Sequence, residues 1–247
     1  MRQPFNSRGA RMSLLLLLAL LLVCSACSIG GTGQNVQPTP TRPAHGKQLL
    51  TGKPLTYVAL GASDAVGVGS ANPDKQSYVA LIGQRLPRGS HLLNFGISGS
   101  TLHNALAKEL PLTLSTSPEL VTVWLVANDF VGGVSYESYM SDLRTLLKQL
   151  QTGTHAFVVL ANLPDLTLLP SFSGRTREQK TSTLQEIKRW NNGIAHEAAH
   201  NHIPLVDLFA DESILTAHPE FVSNDGFHPS AKGYAVLADK FWRAINA

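Results

Sequence analysis

Thr56-Tyr57-Val58-Ala59-Leu60-Gly61-Ala62-Ser63-Asp64-Ala65-Val66-Gly67-Val68-Gly69 is the stretch from which the fold is read. The apolar run Tyr57 to Leu60 has the continuous hydrophobicity of a strand buried on both faces, as in a parallel sheet. It stops at Gly61, and Ser63 follows two residues later, with Ala65, Gly67 and Gly69 close behind. In open α/β sheets the ligand crevice lies just past the carboxyl ends of the strands. A serine there is also a common helix cap, so the rest of the chain must supply its partners if it is to do chemistry.

Outward from this stretch, strand and helix patterns alternate. Lys75 to Leu86 has helical spacing and Leu92 to Gly96 is a short strand. Thr101 to Leu110 is a helix expected to end before Pro111. Leu120 to Val126 is a strongly apolar strand. Ser138 to Leu150 carries Met140, Leu143, Leu146, Leu147 and Leu150 on one face. Ala156 to Leu160, Thr181 to Asn201, Ile203 to Leu208 and Ala231 to Ile245 complete the series as strand, helix, strand and helix. Strands separated by helices imply right-handed crossovers. The expected fold is therefore α/β: a three-layer α/β/α sandwich, flavodoxin-like, with a parallel sheet of about five strands.

The 247 residues, 43% hydrophobic and 15% charged, suffice for one well-buried domain. The formal charge of +3 comes from Arg2, Arg8 and Arg11, because the other 17 Lys and Arg match the 17 Asp and Glu. No basic patch argues for nucleic acid. Those three arginines precede a leucine-rich run, Ser13 to Val23, too short to span a bilayer and typical of a secretory signal. Ser25 and Ala26 before Cys27 resemble a bacterial lipobox, with Cys24 where that pattern usually has Leu. The resemblance implies residues 1–26 as a lipoprotein signal peptide, lipidation of Cys27, and a protein held on the outer face of the bacterial cell membrane. Residues 27–54, rich in Gly, Thr, Gln and Pro, read as a flexible tether to a domain spanning 55–247. Cys24 and Cys27 are the only cysteines, so the domain has neither a disulfide nor a cysteine-bound metal.

A sheet of this kind brings the loops after its strands to one rim. The rim then collects Gly61-Ala62-Ser63, Ile97-Ser98-Gly99-Ser100-Thr101, Asn128-Asp129 and Asp225-Gly226-Phe227-His228-Pro229. These blocks, in this order, resemble those of the SGNH (GDSL-type) hydrolases, and Asn162-Leu163-Pro164-Asp165 and Val206-Asp207-Leu208 fit the same likeness. The resemblance covers Thr56 to Ala247. It implies an ester hydrolase needing no metal or cofactor, acting on small-molecule, lipid or carbohydrate esters. Ser63 would be the nucleophile, His228 its base and Asp225 the partner of the histidine. The backbone N–H groups of Ser63 and Gly99 and the Asn128 side chain would form the oxyanion hole. Two letters depart from the blocks. Ala62 stands where the family has Asp, and Val126 where it has Gly, with an expected effect on loop packing around Asn128.

Two other readings compete. His196-Glu197-Ala198-Ala199-His200 matches the zinc-protease pattern H-E-x-x-H on an expected helix. It lies on the helix preceding the last strand, away from the rim. Its bland reading is a polar helix end. A surface-tethered binding module that kept the fold without activity is the other alternative. Gly67-Val68-Gly69 lacks the third glycine of a dinucleotide loop, and no G-x-S-x-G elbow occurs. The segment Leu166 to Arg177, apolar at its start, is placed to line or cover the cleft.

Overall fold

The computed structural model describes residues 50–210 and 213–247. The expected leader, Cys27 and residues 27–49 of the tether lie outside them. Five strands form one parallel sheet: β1 (Thr56–Gly61), β2 (His91–Asn94), β3 (Leu120–Trp124), β4 (Phe157–Ala161) and β5 (Leu205–Val206). Their order is β2-β1-β3-β4-β5, the flavodoxin-like arrangement expected from the alternation. Val58, Val121 and Val158 stand in register across the central strands. Every residue of β3 and β4 is buried, which accounts for their unbroken apolar runs. The edge strand β2 is mostly exposed.

Ten helices among the described residues surround the sheet. They are α1 (Ser63–Val66), α2 (Pro73–Gln76), α3 (Tyr78–Gly83), α4 (Leu102–Lys108), α5 (Leu110–Ser115), α6 (Ala127–Val131), α7 (Tyr136–Gly153), α8 (Arg177–His200), α9 (Ser213–Ala217) and α10 (Ala231–Ile245). On one face α10 packs on α3; on the other α4 and α5 pack on α7, and α7 on α8. Leu143, Leu146, Leu147 and Leu150 of α7 are fully buried, so truncating any one to Ala should cost about 2–5 kcal/mol.

Several boundaries differ from the sequence reading, each for a local reason. The helix expected over 75–86 is broken at Ser77, whose extended backbone lets its side chain accept the Ala80 N–H and start α3. The helix expected to end before Pro111 does so, at Lys108, but Pro111 also belongs to the start of the next one. It occupies the first turn of α5, where its missing N–H has no intrahelical role. The helix expected from Thr181 starts four residues earlier, at Arg177, behind a capping box at Thr176 and Gln179. The last strand shrinks from six residues to two. Pro204 has no N–H to offer the ladder, and Asp207 turns the chain by accepting the Phe209 and Ala210 N–H groups.

The strand order reverses direction at β1, with β2 on one side and β3 on the other. Ligands of such sheets bind outside the strand ends at this switch point. Residues after β1 and β3 therefore define the place to look.

Candidate active site

Ser63 follows β1 as the first residue of the one-turn helix α1 and is 8% exposed. Gly61 permits that tight turn, since a Cβ there would lie 2.6 Å from the Ala65 Cβ. The opposite wall comes from the segment before α10. Ser223 and His228 are joined by a backbone hydrogen bond, an isolated bridge pairs Val222 with Pro229, and Ser230 caps α10. This knot holds Asp225 and His228 three residues apart on one loop. His228 Nε2 lies 2.9 Å from Ser63 Oγ, and His228 Nδ1 lies 2.6 Å from Asp225 Oδ2. The Asp225 Oδ1 atom accepts the Ser223 hydroxyl and the N–H groups of Phe227 and His228. Partial burial would raise the Asp225 pKa, but these hydrogen bonds and the one from the His228 ring outweigh it and hold the carboxyl well below the usual range.

Gly99 and Asn128 complete the rim. Gly99 has φ +79°, a conformation that glycine adopts without penalty. A Cβ there would meet nothing within 4 Å, so the requirement is the backbone conformation. Among the described residues, the N–H groups of Ser63 and Gly99 find no protein acceptor. Asn128 lies in α6, and its Nδ2 donates to the Ser100 carbonyl at 2.9 Å. One amide hydrogen is thereby fixed and the second is left for another acceptor. Val126 is buried in the core at the start of α6.

Sequence reasoning missed the polar groups behind this rim. Glu109 is fully buried. Its Oε2 accepts the Gly61 N–H at 3.0 Å and its Oε1 accepts the Ser100 hydroxyl at 2.8 Å. Burial pushes its pKa up to about 7 despite those two bonds. Asp129 is also buried, accepts the Leu102 N–H at 2.9 Å and is raised to about 6 by burial. Asp64, next to Ser63, is raised to about 6 by burial, with His228 acting in the opposite direction. Asp129 stood in the Asn128-Asp129 block without a role of its own, whereas no block contained Glu109, whose partners Gly61 and Ser100 are distant or in another element. Asn162 and Asp207, noted as familial, do meet: the Asn162 amide donates to Asp207 at 2.8 Å and accepts the Leu208 N–H at 2.7 Å.

The segment from Leu166 enters two short 3-10 turns. Leu166 and Leu169 line an apolar cavity of about 100 Å³ together with Asp64, Phe227, Pro229 and Leu237. Ser63 and His228 are not among its lining residues, although the chain neighbours of both are.

The H-E-x-x-H segment has a different geometry. Ile187, Trp190, Asn191, Ile194, Glu197 and Ala198 form the inward stripe of α8. Within it, Asn191 clamps both backbone groups of Leu163, and Glu197 accepts Arg144 at 2.8 Å. His196 and His200 stack on the outer side, with His196 79% exposed. No group of three His, Cys, Asp or Glu side chains among the described residues is placed to hold a metal ion.

Residues 59–236 match the model of the GDSL-like lipase/acylhydrolase family. The chain belongs to that family. Membership makes it an ester hydrolase, and the relatives agree. It is 25% identical over 192 residues to thioesterase 1/protease 1/lysophospholipase L1 of Escherichia coli (strain K12), covering 76% of this chain and 81% of that one. It is 23% identical over 209 residues to an acetylxylan esterase of Geobacillus stearothermophilus, covering 81% and 94%. The crystal structure of TesA superposes with a TM-score of 0.61 at 25% identity, covering 77% of this chain and 97% of that one.

Proposed function

We propose that this family member cleaves carboxylic esters through an acyl-enzyme, with Ser63 as nucleophile, His228 as general base and acid, and Asp225 as the partner of the histidine. Ser63 Oγ would attack the ester carbonyl while its proton passes to His228 Nε2. The tetrahedral oxyanion would be met by the N–H groups of Ser63 and Gly99 and by the free amide hydrogen of Asn128. Collapse expels the alcohol, which takes the proton from His228. Water then enters by the same route, giving up a proton to His228, and collapse of the second tetrahedral intermediate returns that proton to Ser63 Oγ as the acid is released. Asp225 holds the imidazole by Nδ1 and favours its charged form in both transition states. The observation that carries this reading is the continuous chain Asp225–His228–Ser63, with contacts of 2.6 and 2.9 Å.

Replacing Ser63 with Ala should abolish hydrolysis of a short p-nitrophenyl ester at unchanged circular dichroism. Undiminished turnover in that variant would refute the assignment. The relatives act on thioesters, lysophospholipids and acetylated xylan by their names. The apolar cavity beside Asp64 suits the hydrocarbon part of an ester more than a sugar. The expected order in a substrate screen is therefore acyl esters of a few carbons ahead of acetylated xylan; the reverse order overturns the preference.

The leader carries a second part of the proposal. Cleavage before Cys27 and acylation of that residue would tether the hydrolase to the outer face of a bacterial membrane. In cells fed labelled palmitate, the wild-type protein should carry the label and sediment with membranes. A Cys27→Ala protein that stays labelled and membrane-bound contradicts this.

A further inference from the structure

Ala62 leaves the turn before Ser63 without the acidic side chain that the G-D-S block would bring. A carboxylate nevertheless reaches this turn, and it comes from another element. Glu109 sits between α4 and α5, 48 residues away in sequence, and its Oε2 accepts the N–H of Gly61, two residues before Ser63. Its other oxygen accepts the hydroxyl of Ser100. Ser100 is the residue after Gly99, and its own carbonyl accepts the Asn128 amide. The Ile97 N–H in turn donates to the Gly61 carbonyl at 3.1 Å. One buried carboxylate thus joins the segment of the nucleophile to the loop of the oxyanion donors, and that loop orients the third donor.

We infer that Glu109 is a positioning residue for ester hydrolysis: its carboxylate fixes Gly61 and Ser100, and through them the spacing between Ser63 Oγ, the Gly99 N–H and the Asn128 amide. The inference rests on the proposed roles of Ser63, Gly99 and Asn128. It requires no contact between Glu109 and substrate. A fully buried carboxyl is costly to keep unless its bonds are both satisfied, and here both oxygens have a donor. Its removal leaves the Gly61 N–H without its acceptor and the Ser100 hydroxyl with only the longer contact to the Thr101 carbonyl at 3.3 Å. The oxyanion donors then lose their setting, and the loss falls on the transition state, where those donors act.

An amide can replace this function. In Glu109→Gln the side-chain oxygen can accept the Gly61 N–H while the amide nitrogen donates to a reversed Ser100 hydroxyl. In Glu109→Leu neither contact survives. The test compares the two with wild type on a short p-nitrophenyl ester, together with the inhibition constant of an alkyl boronic acid that forms a tetrahedral adduct with serine. Glu109→Leu should lower kcat at least about tenfold with KM changed less than about threefold, and weaken the boronate by a similar factor. Glu109→Gln should recover kcat to within about threefold of wild type. If Glu109→Leu does not fold, Ser100→Ala, which removes one of the two donors, carries the same test with an expected loss in kcat of about threefold to tenfold. The inference is overturned if folded Glu109→Leu keeps wild-type kcat, if its loss lies in KM with boronate binding intact, or if Gln is as inactive as Leu. Loss of Ser63 labelling by a phosphonate in the wild-type protein would instead undo the underlying assignment of the nucleophile, so the two failures are separable.

Discussion

Asp225 reaches Ser63 through His228, and Glu109 touches the segment that carries Ser63, yet their surroundings are opposite. Asp225 is 42% exposed and reaches Ser63 through His228. Its oxygens take hydrogen bonds from Ser223, Phe227, and both the backbone and the ring of His228, which keep it ionised. Glu109 is wholly buried, reaches the segment through the Gly61 N–H, and is pushed to about 7 by burial. The difference separates two uses of one chemical group. In the proposed mechanism charge appears on the His228 imidazolium, and the carboxylate beside it is kept charged at the surface by many donors. In the proposed positioning role the carboxyl is buried and held by two donors, and its charge is incidental.

The sharpest way to break this contrast is to turn each acid into its amide. Asp225→Asn keeps the shape but removes the charge and leaves the histidine tautomer wrong for accepting the serine proton. Turnover should fall by about 10²–10⁴-fold, whereas Glu109→Gln changes it little. Steady-state kinetics of the two variants side by side decide the matter, and equal losses would erase the distinction. A smaller effect sharpens it. Glu109, Asp129 and Asp64 titrate higher in the folded chain than their ordinary values of 4.5, 3.8 and 3.8. Folding therefore retains protons that the unfolded chain has lost. The stability they contribute is fully present below about pH 4 and is lost as pH rises to about 7. Asp225, depressed, is ionised in both states across this window and adds no slope there. Its stabilisation disappears only as pH falls below about 4. For Glu109 alone the loss is on the order of 3 kcal/mol. Thermal denaturation between pH 4 and 7.5 should show the melting temperature falling with pH, and falling less steeply in Glu109→Gln. An unaltered slope in that variant means that Glu109 does not titrate in this range.

The same contrast explains what could be read from the sequence. The rim residues were legible because Ser63, Gly99, Asn128, Asp225 and His228 sit in short blocks after strands, and strands announce themselves by apolar runs such as Leu120 to Trp124. The parallel sheet with helices on both faces followed from the alternation. Glu109 was not legible. It lies where a helix was expected to end, and only the fold brings it to Gly61 and Ser100. The division of 75–86 at Ser77 and the two-residue β5 were hidden for a related reason, because each depends on one hydrogen bond made or one N–H missing. The H-E-x-x-H pattern misleads in the opposite direction. Its Glu197 belongs to the buried stripe of α8 and is spoken for by Arg144, while its histidines face outward.

The central claim is that Ser63 carries the acyl group. The direct measurement is intact-protein and peptide mass spectrometry after treatment with a p-nitrophenyl alkylphosphonate. One equivalent should attach to the wild-type chain, on Ser63, with full loss of esterase activity, and none to Ser63→Ala. An adduct on another residue, or inactivation without modification of Ser63, would contradict the account.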